Sequence, residues 1–240
     1  MFWFIILKHA LFIFINIKFM KTKKKKFIII TGYFSNESYG LLGPQMAATI
    51  IEENTPYDCI VVAVTNKYNK ADLKNALKKY FSKKETDEQP IVGFSTLGGR
   101  VDLFELAKEL KQEGAITILA GPQAGVDFQG EIGKNRYPYR FQGFSDHFSF
   151  AVQGPAEQII PFLNAKSSSL DLPGFLFKNR SDKIVAIPAI PYSDKYLEKI
   201  SWDNLFVLEN SSFSPLKVTL AQILQQIGCP HASAAKKNSY

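Results

Sequence analysis

Cysteine is scarce in this chain. Cys59 and Cys229 are the two present in 240 residues, too few for a disulfide framework, and Cys59 falls inside an apolar strand pattern, which suits a reducing cytoplasm. The first apolar strand is followed by neither G-x-G-x-x-G nor G-x-x-x-x-G-K-[ST], so neither common phosphate cradle is available. A G-x-S-x-G nucleophile elbow is also lacking, and the loop acids Glu37, Asp127, Glu131 and Asp146 have no arrangement that suggests general acid and base work. These absences weigh against an independent nucleotide-binding or hydrolytic enzyme.

Uninterrupted apolar sequence is missing as well. Phe2 to Leu7 and Ala10 to Ile15 are strongly apolar, but Lys8, His9, Asn16 and Lys18 interrupt the first twenty residues, whereas a membrane span needs about 20 predominantly apolar positions. A signal peptide would carry its positive charge first and a small-residue cleavage site last, and neither is found. Three readings follow, in order of preference: Met20 is the functional start and residues 1 to 19 are translated upstream sequence; residues 1 to 20 are an anchor that the lysines after it hold on the cytoplasmic side; or they form a core strand.

What is present is the composition of a folded protein, 46% hydrophobic and 21% charged, in a chain long enough for one large domain or one domain with an appendage. The net charge of +7 sits largely in Lys21, Lys23, Lys24, Lys25 and Lys26 and in single lysines on predicted helix surfaces. No aromatic residues interleave that run at a spacing that stacks bases, so it reads as a solvated basic segment and not as a nucleic-acid site.

The central signal is Ile91-Val92-Gly93-Phe94-Ser95-Thr96-Leu97-Gly98-Gly99-Arg100, a short apolar run after Pro90 that breaks into small and hydroxylated residues. Leu103, Leu106, Ala107 and Leu110 then mark a helix that Gly114 stops. The same alternation recurs along the chain. Phe27 to Thr31 is a buried strand, followed by the polar loop Phe34 to Gly43 and a helix with Met46, Ala47, Ile50 and Ile51 facing inward. Asp58 to Val64 is strand two, and Leu73, Ala76, Leu77, Tyr80 and Phe81 mark its helix. Ala115 to Leu119 is strand four, running into Ala120-Gly121-Pro122-Gln123; the pattern weakens from Ala124 to Ser149; and Phe150 to Val152 is strand five, ending at Gln153-Gly154-Pro155 before a short helix from Ala156 to Leu163.

Five alternations predict an α/β fold, a doubly wound, flavodoxin-like five-stranded parallel sheet. Right-handed crossovers put the loops after strands one, three, four and five on one edge, and in the order 2-1-3-4-5 the loops after strands one and three flank the switch point where ligands settle. Beyond Ser167-Ser168-Ser169, a hairpin of Pro173 to Lys178 and Lys183 to Ala186 turns at Asn179 to Asp182, and residues 192 to 240 read as an irregular connector. The expected divisions are residues 1 to 25, 26 to 165 and 166 to 240.

Three motifs on this alternation carry a resemblance. Ser95-x-Leu97, then Ala120-Gly121-Pro122-Gln123, then Val152-Gln153-Gly154-Pro155-Ala156-Glu157 resemble the cobalamin-binding domain that precedes the catalytic barrel of radical S-adenosylmethionine (radical SAM) enzymes. Asp171-Leu172-Pro173-Gly174-Phe175 and the hairpin after it are similar to the connector of those enzymes, so the resemblance spans roughly residues 26 to 232. It implies a Rossmann-like cobalamin-binding fold and a corrinoid held at Tyr39, Gly40, Ser95, Thr96, Leu97, Gly98, Gly121, Pro122, Gln123, Gln153, Gly154 and Glu157. In that role Ser95 hydrogen-bonds in the slot for the nucleotide tail, Leu97 forms its apolar wall, and Gly98, Gly121 and Gly154 admit close approach of backbone to ligand. A tryptophan at position 97 or 121 is then expected to abolish corrinoid binding and leave the fold.

Two departures limit what the resemblance implies. Family members that coordinate cobalt from below use Asp-x-His-x-x-Gly after strand one, and Phe34 to Gly43 contains no histidine. Tyr39 or nearby backbone is the candidate to face the metal instead, and His147 reads as a surface or edge histidine. Radical SAM enzymes hold a 4Fe-4S cluster with Cys-x-x-x-Cys-x-x-Cys, whereas Cys229-Pro230-His231 is followed by Ser233 and Lys236 where the other cysteines would stand. Cys229 and His231 also make a poor zinc site. The chain is therefore expected to hold cobalamin, with no catalytic or metal-ligating residues of its own, while S-adenosylmethionine and the cluster belong to a radical SAM catalytic domain downstream or in a partner chain. The alternative is a ligand-free flavodoxin-like interaction or scaffold domain.

Overall fold

A computed structural model of the chain describes residues 25–33, 41–82, 89–96, 100–125, 142–165, 169–191 and 200–219. The segments 1 to 24 and 220 to 240, with the proposed start or anchor and the Cys229 and His231 pair, lie outside the described residues.

Strands β1 (Lys25–Gly32), β2 (Tyr57–Val64), β3 (Ile91–Ser95), β4 (Ile116–Ala120) and β5 (Phe150–Val152) alternate with helices α1 (Leu42–Asn54), α2 (Lys70–Ser82), α3 (Val101–Gln112) and the short α4 (Ile160–Asn164). All pairings among these five strands are parallel, in the order β2-β1-β3-β4-β5. Continuous apolar runs are what strands covered on both faces require. Ile28 and Ile30 of β1 pack with Leu73, Leu77, Leu103 and Leu106 under α2 and α3. Phe27 and Ile29 face the other way, with Ala48 and Ile51 of α1 and Leu163 of α4. The predicted doubly wound architecture follows directly from those two faces.

Local signals set the helix ends. The Asn69 side-chain oxygen accepts from the Ala71 and Asp72 amides at 2.9 and 3.2 Å and so caps the exposed donors of α2. At the end of α3, Gly114 adopts φ 93° and its amide donates to Lys111 O at 3.0 Å, the stop expected there. Between β4 and β5, where periodicity is weak, the short turn Gln142–Phe144 and the residues after it insert Phe144 and Phe148 beneath α3, edge-on to Phe104.

Among the described residues the sheet has nine strands and not five. The predicted hairpin, β6 (Phe175–Lys178) and β7 (Ile184–Ala186), extends it antiparallel beyond β5. At the opposite edge, within the segment expected to be irregular, β8 (Leu205–Glu209) pairs parallel with β2 and turns into β9 (Ser212–Pro215). The turn is Asn210-Ser211, both at positive φ, 47° and 55°, the backbone that a two-residue hairpin with strand-matched twist demands. Pro215 is tolerated because β9 is an edge strand. With only two strands of its own, this hairpin would be marginal in isolation, and the β2 ladder and α1 supply its support.

A buried amide network makes that attachment. Gln45 of α1 is fully buried, and its Nε2 donates to Asn204 Oδ1 at 3.2 Å and to Trp202 O at 3.3 Å. Asn204 Nδ2 returns hydrogen bonds to Gln45 O at 3.1 Å and Thr49 Oγ1 at 3.3 Å. Asn204→Ala strands these buried groups, so it is expected to cost about 1–3 kcal/mol. A lowered urea midpoint measures that cost, and an unchanged midpoint would show that the network does not hold the hairpin.

Candidate functional site

The parallel register brings the loops to one level. Thirty-one pairs with 95 and 95 with 120, so Thr31, Ser95 and Ala120 end their strands side by side, and Leu119 pairs with Ala151 one step before β5 finishes. The loops beginning at Tyr33, Thr96, Gly121 and Gln153 therefore leave from a single edge, as predicted. Of the expected site residues, Tyr39, Gly40, Leu97 and Gly98 lie outside the described residues.

The remaining residues form a connected rim. Gly121 adopts φ 72°, and a Cβ built on it would lie 2.6 Å from Ser95 Oγ, so the serine hydroxyl stands directly over the glycine. The Gln123 amide donates to Thr96 O at 3.2 Å, the Ala124 amide to Gly121 O at 3.1 Å, and Gln153 Nε2 to Ala124 O at 2.8 Å. These bonds chain the β3, β4 and β5 loops together. Gly121, Pro122 and Gly154 are exposed on the rim and Ser95 and Gln153 are half-buried, while Thr96, Gln123 and Glu157 are buried beneath it. The Thr96 hydroxyl has no hydrogen-bond partner among the described residues, although Thr96 is only 1% exposed. A buried hydroxyl left in that state costs about 1–3 kcal/mol.

Phe94, Phe144 and Phe148 are buried under α3. The two exposed large apolar residues among the described residues, Val101 and Ile190, stand at the ends of the rim, Val101 opening α3 and Ile190 donating its amide to Gln158 Oε1 at 2.9 Å.

Two residues absent from the sequence prediction organise the rim. Buried Gln158 donates through Nε2 to Gln153 O and Pro155 O, and a Cβ on Gly154 would meet that Nε2 at 2.6 Å and Ala189 Cβ at 3.0 Å. Gly154 is thus required by the chain's own packing. Arg100, at the start of α3, crosses the end of β1: its Nη1 donates to Val64 O and its Nη2 to Thr65 O, both at 3.2 Å, and Nε and Nη2 fork onto Asp102 at 2.9 and 2.8 Å. Neither role has a local sequence signal, since both depend on carbonyls distant in the chain. A tryptophan at 121 would also have to displace Ser95 and adopt a positive φ, so that variant strains the fold and is not the clean probe expected from the sequence.

Among the described residues, no group of three or more His, Cys, Asp or Glu side chains could hold a metal ion, and no helix is long and apolar enough to cross a membrane. His147 lies against Glu105, Nε2 to Oε1 at 3.3 Å, on the α3 side of the sheet.

No family model matches the chain, and no curated protein matches it. Among solved structures, it is similar to the radical S-adenosylmethionine methyltransferase TsrM from Kitasatospora setae with tryptophan substrate and a SAM analog bound, at 13% identity and TM-score 0.46, over 69% of this chain and 30% of that one. The cobalamin-dependent S-adenosylmethionine radical enzyme OxsB, with aqua-cobalamin and S-adenosylmethionine bound, matches at 9% identity and TM-score 0.48, over 70% of this chain and 23% of that one. TsrM with cobalamin and a [4Fe-4S] cluster bound matches at 13% identity and TM-score 0.43, covering 78% and 32%. The chain thus spans less than a third of each of these proteins.

The rim also has a pH signature. Burial works against the Asp102 carboxylate, but the hydrogen bonds and charge of Arg100, with the Asp102 and Leu103 amides, outweigh it and hold its pKa below the usual range. The stabilisation is fully present above the unfolded value, about 3.9, and is lost as pH falls through the lower folded value. Thermal melts should therefore fall more steeply below about pH 4 for the wild type than for Asp102→Asn. Parallel curves would remove the pair from the acid response.

Proposed function

We propose that this chain is a cobalamin-binding module of a radical SAM, methyltransferase-like enzyme, holding a corrinoid on the rim formed by the β3, β4 and β5 loops. The observation that carries the proposal is the buried Thr96 hydroxyl, which has no hydrogen-bond partner among the described residues, in a loop whose carbonyl is tied to the β4 loop that carries the exposed Gly121 and Pro122. A flat macrocycle with amide arms needs a platform low in bulky side chains and donors at its border, and these residues fit that demand. Ser95 would present its hydroxyl to the ligand and Thr96 would offer its own from beneath the rim, Gly121 and Pro122 would face it with little side-chain bulk, and Gln153 would stay fixed to Ala124 O as the border of the β5 side. Phe34 to Gly43 contains no histidine, so no imidazole from that loop serves as the lower ligand. When bound, the corrinoid supplies a cobalt that carries a methyl group. The radical SAM catalytic domain, in cis or in trans, would supply S-adenosylmethionine and the 4Fe-4S cluster, and the setting would be the cytoplasm.

A specific observation favours the second reading, a ligand-free interaction or scaffold domain: the space above Gly154 is filled by Gln158 and Ala189, and that above Gly121 by Ser95. The two readings separate on Thr96→Val. Removing an unsatisfied buried hydroxyl should leave the melting temperature equal or higher, while corrinoid affinity falls about tenfold, the value of one lost hydrogen bond of about 1.4 kcal/mol. Purified chain incubated with hydroxocobalamin and desalted should retain the corrinoid spectrum. Colourless wild-type protein would overturn the cobalamin reading, as would Leu97→Trp protein that binds like the wild type.

A further inference from the structure

We propose that Arg100 is a positioning residue for the rim: its guanidinium locks the start of α3 to the ends of β1 and β2, and thereby fixes the far anchor of the β3 loop. The inference rests on the corrinoid reading above. It begins from a count of donors. A guanidinium has five N–H groups in one plane, and four are engaged here, by Val64 O, Thr65 O and the two Asp102 oxygens. Val64 O also accepts from the Tyr33 amide at 2.9 Å, so a single carbonyl ties together the residue after β1, the end of β2 and the first residue before α3. Arg100 O meanwhile accepts from the Leu103 and Phe104 amides at 3.0 and 3.3 Å, and the Arg100 side chain itself makes no cap bond to α3. Its backbone starts the helix while its side chain holds that start in place.

The other end of the loop is held separately. Thr96 is buried, and its carbonyl accepts from the Gln123 amide at 3.2 Å. Thr96 and Arg100 are thus held to different parts of the sheet, one to the β4 loop and the other to the ends of β1 and β2. Releasing one anchor adds conformations that binding must then remove, which lowers affinity without deleting any group that would touch the ligand. Asp102 neutralises the guanidinium, and carbonyls occupy its remaining face, so Arg100 acts as a brace and not as a free anion receptor.

Gly32 completes the arrangement. A Cβ there would stand 3.0 Å from Arg100 Nη1, and Gly32 is not at positive φ, so an alanine changes that contact without straining its own backbone. Lysine at 100 keeps the charge but offers one ammonium in place of a planar fork, and cannot engage Val64 O, Thr65 O and both Asp102 oxygens at once.

The experiment uses the full chain and hydroxocobalamin as the probe. Arg100→Lys is expected to weaken binding about tenfold, consistent with the loss of one or two hydrogen bonds to charged groups. Amide hydrogen exchange at Leu103 and Phe104 should speed up in the ligand-free variant, a readout that needs no corrinoid. Gly32→Ala should weaken binding severalfold in the wild-type background and have no further effect when combined with Arg100→Lys, because the two act through one contact. If the wild-type chain fails to bind, the corrinoid reading falls and this inference falls with it. Wild-type binding that Arg100→Lys leaves intact, or unchanged exchange at Leu103 and Phe104, overturns the brace alone.

Discussion

The hydrogen-bonded register that sets Ser95 between Thr31 and Ala120 is the constraint on which the rest of this molecule depends. Parallel strands can be aligned only if each crossover helix returns the chain to the same starting edge, and here α1, α2 and α3 do so with buried faces that match the two sides of the sheet. Once the strands stop together, everything after them is gathered on one border. The small residues after β3, β4 and β5 are then neighbours although about 60 positions separate the first from the last, and hydrogen bonds from Gln123 and Gln153 bind the three turns into one surface.

Charge and packing divide the labour on that border. On the β4 and β5 side, neutral carboxamides make the connections: Gln153 reaches Ala124 O and Gln158 closes around Gly154. On the β1 and β2 side, the connection is ionic and centres on the Arg100 and Asp102 pair. The Thr96 hydroxyl, without a hydrogen-bond partner among the described residues, lies in the loop between these two systems.

The central alternation was legible because each of the five strands is an apolar run with its own boundary signal and each long helix has a one-sided stripe. Phe27 to Thr31, Ile91 to Ser95 and the Gly114 stop all stand where the pattern put them. The convergence of Ser95, Gly121 and Gln153 on one edge was legible too, since topology dictates it. Three features were not. Phe144 and Phe148 lie in a stretch without period, so their burial is set by partners distant in sequence, Phe104 of α3 and Phe94 of β3. The Asn210-Ser211 turn was a usable hairpin signal, but β8 has meaning only beside β2, which is distant in the chain. Arg100 and Gln158 bind carbonyls and carboxamides, and no spacing rule identifies such partners.

The amide cluster between Gln45 and Asn204 joins positions 159 residues apart. Until the ribosome has released the stretch around Asn204, β2 has no neighbour on its outer side, and its unpaired backbone is a template for other chains. Contacts of such long sequence separation also slow a fold, because the loop must close before any reward is collected. The outer edge of β2 is therefore most exposed to aggregation in the interval between its own synthesis and that of β8, and chaperone dependence should be decided by how soon β8 docks.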